Sequence, residues 1–268
     1  IESILYYRKD LYDKFGLKMA NTLEEYEENS RVLTRDGMYG SSFMFAGDPV
    51  TFMEFSDWMY NLGGRWVTEE EDAVAPFDPH GNKAIEILAF FKRMMDKKYC
   101  PPGALTYGII DVLQAYQTEV IAQANMYSPR VLLVEDPKTS KAAGKTGYSV
   151  KLPNAPSRIM VGPRANFLSG WTFSVNLWIS PERKEAAFQA IKYMVSKEAQ
   201  LAAALKAANG PTRKDVLGDP EWQKAYPAHK VLIDGYEQGK AGSPATPAFA
   251  EISKIVSEEA GLALIGRK

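Results

Sequence analysis

Ala84, Leu88, Phe91 and Met95 recur at i, i+4, i+7 and i+11, behind an Asp78-Pro79 start and ahead of a Pro101-Pro102-Gly103 stop. That spacing lays them along one continuous face of a helix, and a helix with such a face has to dock it on a sheet or on a neighbouring helix. Partners are on offer on both sides. Residues 1–8 read as a strand, and residues 9–15 as a short helix that Gly16 closes. Thr22 and Glu25 form a capping box that opens a helix through Leu33, with Gly37 ending it. Residues 39–45 read as a buried strand. Gly47-Asp48-Pro49 then turns the chain into a helix whose inward stripe is Phe52, Phe55, Met59 and Leu62, broken by Gly63-Gly64.

Downstream, the pattern predicts a helix over 109–117, a strand over 120–126, a loop at Tyr127-Ser128-Pro129, a basic loop over 138–145 and a strand over 146–152. A boundary falls near Pro156. Strands follow at 159–161 and 170–179, and Pro181 opens a helix at N1 with Ala187, Ile191, Met194 and Val195 inward. Gly210-Pro211 ends that unit. A helix near Glu221, another over 228–236, a Gly/Pro/Ser loop over 239–247 and a final helix over 248–263 complete the reading.

Composition removes several function classes. Among 268 residues, 32 Lys and Arg face 33 Asp and Glu, a net charge of −1 with no long run of either sign, which speaks against a nucleic-acid footprint. No apolar run approaches the roughly 20 residues of a membrane helix. Cys100 stands alone, so neither an intrachain disulfide nor a Cys-rich metal site can form. His80 and His229 have no acidic or Cys neighbour at ligand spacing. Ala142 to Thr146 lacks the first glycine of a phosphate loop and is followed by no helix. Ser169-Gly170 does not complete a nucleophile elbow, because Phe167 stands where its first glycine belongs. The four carboxylates from Glu69 to Asp72 read as a solvated loop. No cofactor or metal is expected, and nothing has the spacing of an active site.

Binding is better supplied. Gly170 precedes Trp171 at the mouth of a strand, where a glycine permits close backbone approach and unusual φ, and the indole offers a flat apolar face with one N–H donor. Trp66 follows Gly63-Gly64-Arg65 in the same manner. For both rings, core packing is the alternative reading. Trp58, Trp178 and Trp222 lie inside regular patterns and read as packing residues.

The order of blocks along the chain is more specific than any one of them. Tyr6-Tyr7-Arg8-Lys9-Asp10-Leu11, Gly37-Met38-Tyr39-Gly40, Leu62-Gly63-Gly64, Asp111-Val112-Leu113-Gln114-Ala115-Tyr116, Leu168-Ser169-Gly170-Trp171, Ser196-Lys197-Glu198-Ala199-Gln200, Gly210-Pro211-Thr212-Arg213 and Thr246-Pro247-Ala248-Phe249 follow in succession. Together they resemble extracellular solute-binding protein family 1, the sugar-binding components of bacterial ABC importers. The resemblance covers nearly the whole chain. It implies an α/β, periplasmic-binding-protein-like fold of two lobes with a carbohydrate in the cleft, hinge closure, and delivery to permease subunits in the membrane. By that mapping, residues 1–154 and 211–268 make the C-terminal lobe, and 155–210 make a late-returning part of the N-terminal lobe. The resemblance begins partway into a family member, so it implies that the bulk of the first lobe precedes Ile1 and a terminal helix follows Lys268; a start without Met inside an apolar stretch fits that expectation. A periplasmic or extracellular place is implied, with association to the membrane through the transporter or a lipid anchor.

Carried over residue by residue, the resemblance places Ser169-Gly170-Trp171 on a Gly-Gly-Trp block whose indole stacks on sugar. Asp48 falls in a loop that can touch ligand and accept hydroxyl hydrogens. Asn125 and Tyr127 fall in the loop after a strand where many members carry Trp-Pro, with Tyr127 the substitute platform. Ala245 stands where an Arg is common, which argues against an anionic ligand. The expected ligand set is thus Trp171, Gly170, Ser169, Trp66, Tyr127, Asn125 and Asp48, serving a non-catalytic receptor for a sugar. A receptor for a polyol or other polar solute is the alternative. A carbohydrate-active hydrolase is the rival from another class and would need a second carboxylate at fixed separation from Asp48.

Overall fold

A computed structural model describes residues 3–66, 79–150, 167–168, 170, 172–207, 210–238, 240–241 and 246–268. The carboxylates from Glu69 to Asp72, the boundary near Pro156, the strand expected over 159–161, Ser169 and Trp171 lie outside the described residues.

β1 (Ser3–Arg8) is the central strand of an antiparallel sheet ordered β2-β1-β3, flanked by β2 (Gln123–Tyr127) and β3 (Thr146–Ser149). Ile4 faces Met126, Leu5 faces Asn125, and Tyr6 faces both Ala124 and Tyr148. Strand alternation then sorts the side chains into two cores. Ile4 and Tyr6 join Tyr116, Ala124, Met126 and Trp222, whereas Leu5 joins Phe43, Trp58, Phe90 and Phe91.

Local chemistry sets the first helices. α1 (Lys9–Phe15) ends on Gly16, left-handed at φ +65°. α2 (Leu23–Leu33) starts at Thr22, whose hydroxyl accepts from the Glu25 amide at 3.1 Å, but the Glu25 carboxylate reaches past Thr22 to the Asn21 amide at 2.7 Å. The helix stops at Leu33. Gly37, expected as its terminator, lies at φ +83° in the reversal bridged between Arg35 and Met38.

Residues 39–45 do not form the expected strand. Their amides go to separate segments, Tyr39 to Val120, Ser41 to Tyr99 and Phe45 to Tyr107, so no single ladder forms. Two isolated parallel bridges remain, Tyr39 with Ile121 and Ser42 with Ala124.

α3 (Val50–Asn61) buries Phe52, Phe55, Met59 and Leu62 as their spacing predicts. In α4 (Pro79–Asp96) the stripe is broader than expected. Ile87, Phe90, Phe91 and Met94 are the fully buried side chains, while Ala84, Leu88 and Met95 flank them, because α4 packs against both α3 and the last helix.

α5 (Ile109–Gln117) occupies its expected span, and a short α6 (Val131–Val134) follows β2. β4 (Phe167–Leu168) precedes α7 (Pro181–Met194) and α8 (Lys197–Ala207), and then come α9 (Lys214–Leu217), α10 (Pro220–Ala225), α11 (His229–Gln238), β5 (Lys240–Ala241) and α12 (Phe249–Leu264). β4 pairs with β5 in parallel. The strand expected over 170–179 is absent from the described part of that stretch, which carries no ladder hydrogen bonds and ends in a turn. Pro181 starts α7 as expected, with Ser180 as its cap, yet Ala187, Ile191, Met194 and Val195 are not buried, the main packing of α7 being along α8. Trp58 and Trp222 are fully buried, but Trp178, expected to pack, is 89% exposed in that same turn.

Candidate functional site

α3 is the spine of the site. The loop before it is pinned at both ends. The Phe45 and Ala46 amides both donate to the Tyr107 carbonyl, at 2.9 and 3.1 Å, and the Gly47 amide donates to Thr51 Oγ1 at 3.1 Å. Gly47 takes φ +87°, which a side chain would oppose. Asp48 is held exposed on this loop, and its Oδ1 accepts from the hydroxyls of Ser253 and, at 3.4 Å, Ser257, both on α12.

Beyond α3 the chain reverses at Gly63, φ +78°, and brings Trp66 back along the helix. Its ring stacks on Phe52 at 5.4 Å and 29° and lies 5.8 Å from Phe55, while Nε1 donates to Ser56 Oγ at 2.7 Å. Phe52 meets Phe249 of α12 edge-on at 5.5 Å. Trp66 is half-buried. Phe52 is fully buried beneath it, so Trp66 and Phe249 are the partly exposed rings here, with the exposed Asp48 bonded to the α12 serines beyond Phe249.

The opposite side of α3 is polar. Glu54, Asp57 and Asn61 follow each other at i, i+3 and i+7, and all three are buried. Glu54 accepts from Trp58 Nε1 at 2.7 Å. Asp57 accepts from Asn125 Nδ2, and Asn125 Oδ1 accepts from Ser3 Oγ, so one amide ties the helix to β1 and β2. Tyr127 stands at the end of β2, 7% exposed, and its hydroxyl pKa is pushed well up by burial, with the Asp57 and Glu54 carboxylates adding to the effect. Asn125 and Tyr127, expected as ligand contacts, are thus buried in a polar cluster whose other members, Glu54, Asp57 and Asn61, the sequence did not single out. Polar residues at i, i+3, i+7 resemble a solvated face. The available signal was that the aromatic residues of α3 lie all around the rest of the wheel, leaving no direction for solvent.

α3 separates the expected residues: Asp48 and Trp66 lie on one side of it, and the buried Asn125 and Tyr127 on the other. β4 also lies against α3, which brings the start of the Phe167-Leu168-Ser169-Gly170-Trp171 run to the same helix. Gly170 is exposed. A Cβ there would meet no atom within 4 Å and its φ is not left-handed, so neither close approach nor unusual backbone requires this glycine. His229 Nδ1 lies 3.0 Å from the Tyr226 carbonyl, in a capping position. Among the described residues no group of His, Cys, Asp and Glu is arranged to hold a metal, and no helix is long and apolar enough to cross a membrane. Aromatic faces beside carboxylate and amide groups suit a solute that pairs apolar C–H surfaces with hydroxyls.

Over residues 1–230 the chain matches the family model described as bacterial extracellular solute-binding protein. It belongs to that family. Solved structures agree across its whole length. A solute-binding protein from Agrobacterium radiobacter K84 in complex with ribitol aligns with a TM-score of 0.86 at 25% identity, covering 99% of this chain and 65% of that one. Maltose-bound T. maritima MalE3 aligns at 0.87 and 27%, covering 99% and 66%. A solute-binding protein from Agrobacterium vitis S4 with bound D-mannitol aligns at 0.82 and 28%, covering 100% and 66%. The fold is that of the periplasmic binding proteins, and the chain spans 65–66% of the length of these relatives.

Proposed function

We propose that this solute-binding protein binds a neutral polyhydroxy solute, a sugar or a linear polyol, in an interlobe cleft and hands it to the permease of an ABC importer. The observation that carries the reading is the partly exposed pair Trp66 and Phe249, both packed on the buried Phe52 ring, with the exposed Asp48 carboxylate bonded to the same helix as Phe249. The two partly exposed rings supply apolar surface, and the carboxylate supplies a charge-assisted acceptor for a hydroxyl. The relatives that hold ribitol, D-mannitol and maltose support the same solute class.

Asp48 and Trp66 are the C-lobe side of this site, with residues 1–154 and 211–268 forming that lobe; Asn125 and Tyr127, buried across α3, support it from behind. Ser169, Gly170 and Trp171 belong to the 155–210 segment that faces it. Closure follows because contacts to both sides exist only when the lobes meet. The protein works as a receptor without chemistry of its own, outside the cytoplasm, and is tethered by the transporter or a lipid anchor.

A melting-temperature panel with ribitol, D-mannitol and maltose tests this. A ligand that binds only the native state stabilises it by about 2.7 kcal/mol at a hundredfold excess over Kd, so at least one member should raise the transition by several degrees. Three flat titrations would remove the proposal.

A further inference from the structure

We propose that Ser253 and Ser257 are a positioning pair that occupies one oxygen of Asp48 and presents the other as a single, oriented acceptor for a solute hydroxyl. This rests on the sugar-or-polyol reading above. Phe249, Ser253, Ser257, Ala260 and Leu264 recur at i, i+4, i+8, i+11 and i+15, so they share the face that α12 turns toward α3 and α4. The helix seam is apolar except at the two serines, which are only 2% and 5% exposed. Taking two hydroxyls out of water opposes folding unless they find partners. Both are directed at the same atom, Asp48 Oδ1.

A solvated carboxylate on a loop needs no such fixing. Here the loop is already pinned by the Tyr107 carbonyl and Thr51, so the serines add orientation rather than attachment. Among the described residues no group bonds Asp48 Oδ2. With Oδ1 doubly occupied, the carboxylate accepts one hydroxyl at Oδ2 instead of clasping a diol with both oxygens. Phe249 lies one helical turn before Ser253 on α12 and is only partly buried, which places an apolar C–H surface on the same side of the helix.

Isothermal titration of the full chain with ribitol, D-mannitol and maltose, alongside Asp48→Asn, Ser257→Ala and the Ser253→Ala/Ser257→Ala pair, tests the assignment. Asp48→Asn is expected to weaken the best ligand about 10- to 100-fold, as for a lost charge-assisted bond. The double serine variant is expected to weaken it about 3- to 10-fold with no fall in the melting temperature of the unliganded protein, because alanine suits the seam. Ser257→Ala alone, removing only the 3.4 Å contact, keeps the fold and shows the smaller part of the loss. A double variant that binds as tightly as wild type, or that melts earlier with an unchanged Kd, reduces the serines to helix attachment and overturns the inference while the solute class stands. Wild-type affinity in Asp48→Asn overturns it as well. Silence of the wild-type protein toward all three solutes overturns both the solute class and this assignment.

Discussion

α3 and α7 are helices of 12 and 14 residues built on opposite principles. α7 is rich in good helix formers, carries Pro181 at N1, and has a serine cap with Glu182 in its first turn and Lys192 in its last. None of its residues is buried. α3 begins on Pro49 without a side-chain cap, carries β-branched and aromatic residues, and buries every position except Val50 and Met53. One helix is specified by its own backbone chemistry, the other by what surrounds it. The groups proposed to meet the solute, and the buried polar cluster, collect around the second kind. A helix enclosed on all sides can hold Glu54, Asp57 and the Asp48 loop in fixed directions, which an exposed helix cannot do.

The contrast is broken most directly at its tryptophans. Trp58 is fully enclosed by Tyr26, Phe43, Phe90 and Phe91, and its indole N–H is bonded to Glu54. Trp58→Ala should lower the unfolding free energy by about 3–5 kcal/mol, the usual cost of emptying a large aromatic site. Trp178→Ala, in the turn ahead of α7, should change it by less than about 0.5 kcal/mol. Urea unfolding of both variants decides the matter. Equal losses would mean that the turn around Trp178 is packed in solution and that the two regions do not differ in the way described.

Those same helices show what was legible beforehand. Gly16, Thr22 and the Ser180-Pro181 start were readable because a cap involves residues within one turn of each other. The Phe52, Phe55, Met59, Leu62 stripe was readable because helical spacing alone defines a face. Residues 39–45 were misread as a strand because apolar runs say nothing about how many partners will share their amides. The stripe of α7 is uncovered within this chain, which spans 65–66% of its relatives' length, because amphipathic spacing states which face could be buried and not what covers it. At the site, Asp48, Asn125 and Tyr127 came from the family resemblance, not from local pattern. Ser253 and Ser257 were invisible because their partner lies some two hundred positions earlier, and a serine in a helix carries no local signal of it.

The caps offer a finer test of the same contrast. Thr22 Oγ1 accepts from the Glu25 amide at 3.1 Å, and Ser180 Oγ accepts from the Arg183 amide at 3.4 Å, so the two helices open with equivalent chemistry. Removing an N-cap costs about 1 kcal/mol. For Thr22→Ala the full amount should appear in global unfolding, because α2 buries Leu23, Tyr26 and Leu33 and cannot fray independently of the core. For Ser180→Ala the loss should appear as faster amide exchange in the first turn of α7, with global stability nearly unchanged. A global loss of similar size in both variants would show that α7 unfolds together with the body.

The smallest expected effect is electrostatic. Burial pushes the Glu27 carboxyl up, but Lys97, just past the end of α4, at 2.5 Å and Arg93 of α4 at 3.1 Å bridge to it, and the cations prevail, so its pKa lies below the ordinary glutamate value. A carboxyl lowered in the folded state contributes stability that is fully present above its unfolded pKa of about 4.3 and is lost as pH falls through the folded value. Both cations are around half exposed, so screening keeps the contribution to about 1 kcal/mol or less. Glu27→Gln should therefore melt slightly below wild type at pH 7, with the gap closing as pH drops below about 4 and also in 1 M salt. On α7 the corresponding group is Glu182, whose carboxyl is held low by its own backbone amide and then by Ser180. Because α7 buries nothing, Glu182→Gln should leave the global melting temperature unchanged at every pH. A gap for Glu27→Gln that stays constant from pH 7 to pH 3 would remove the ion pair from the account of why α2 and α4 hold together, and leave that work to Tyr26 and Phe90, whose rings meet edge-on at 6.0 Å.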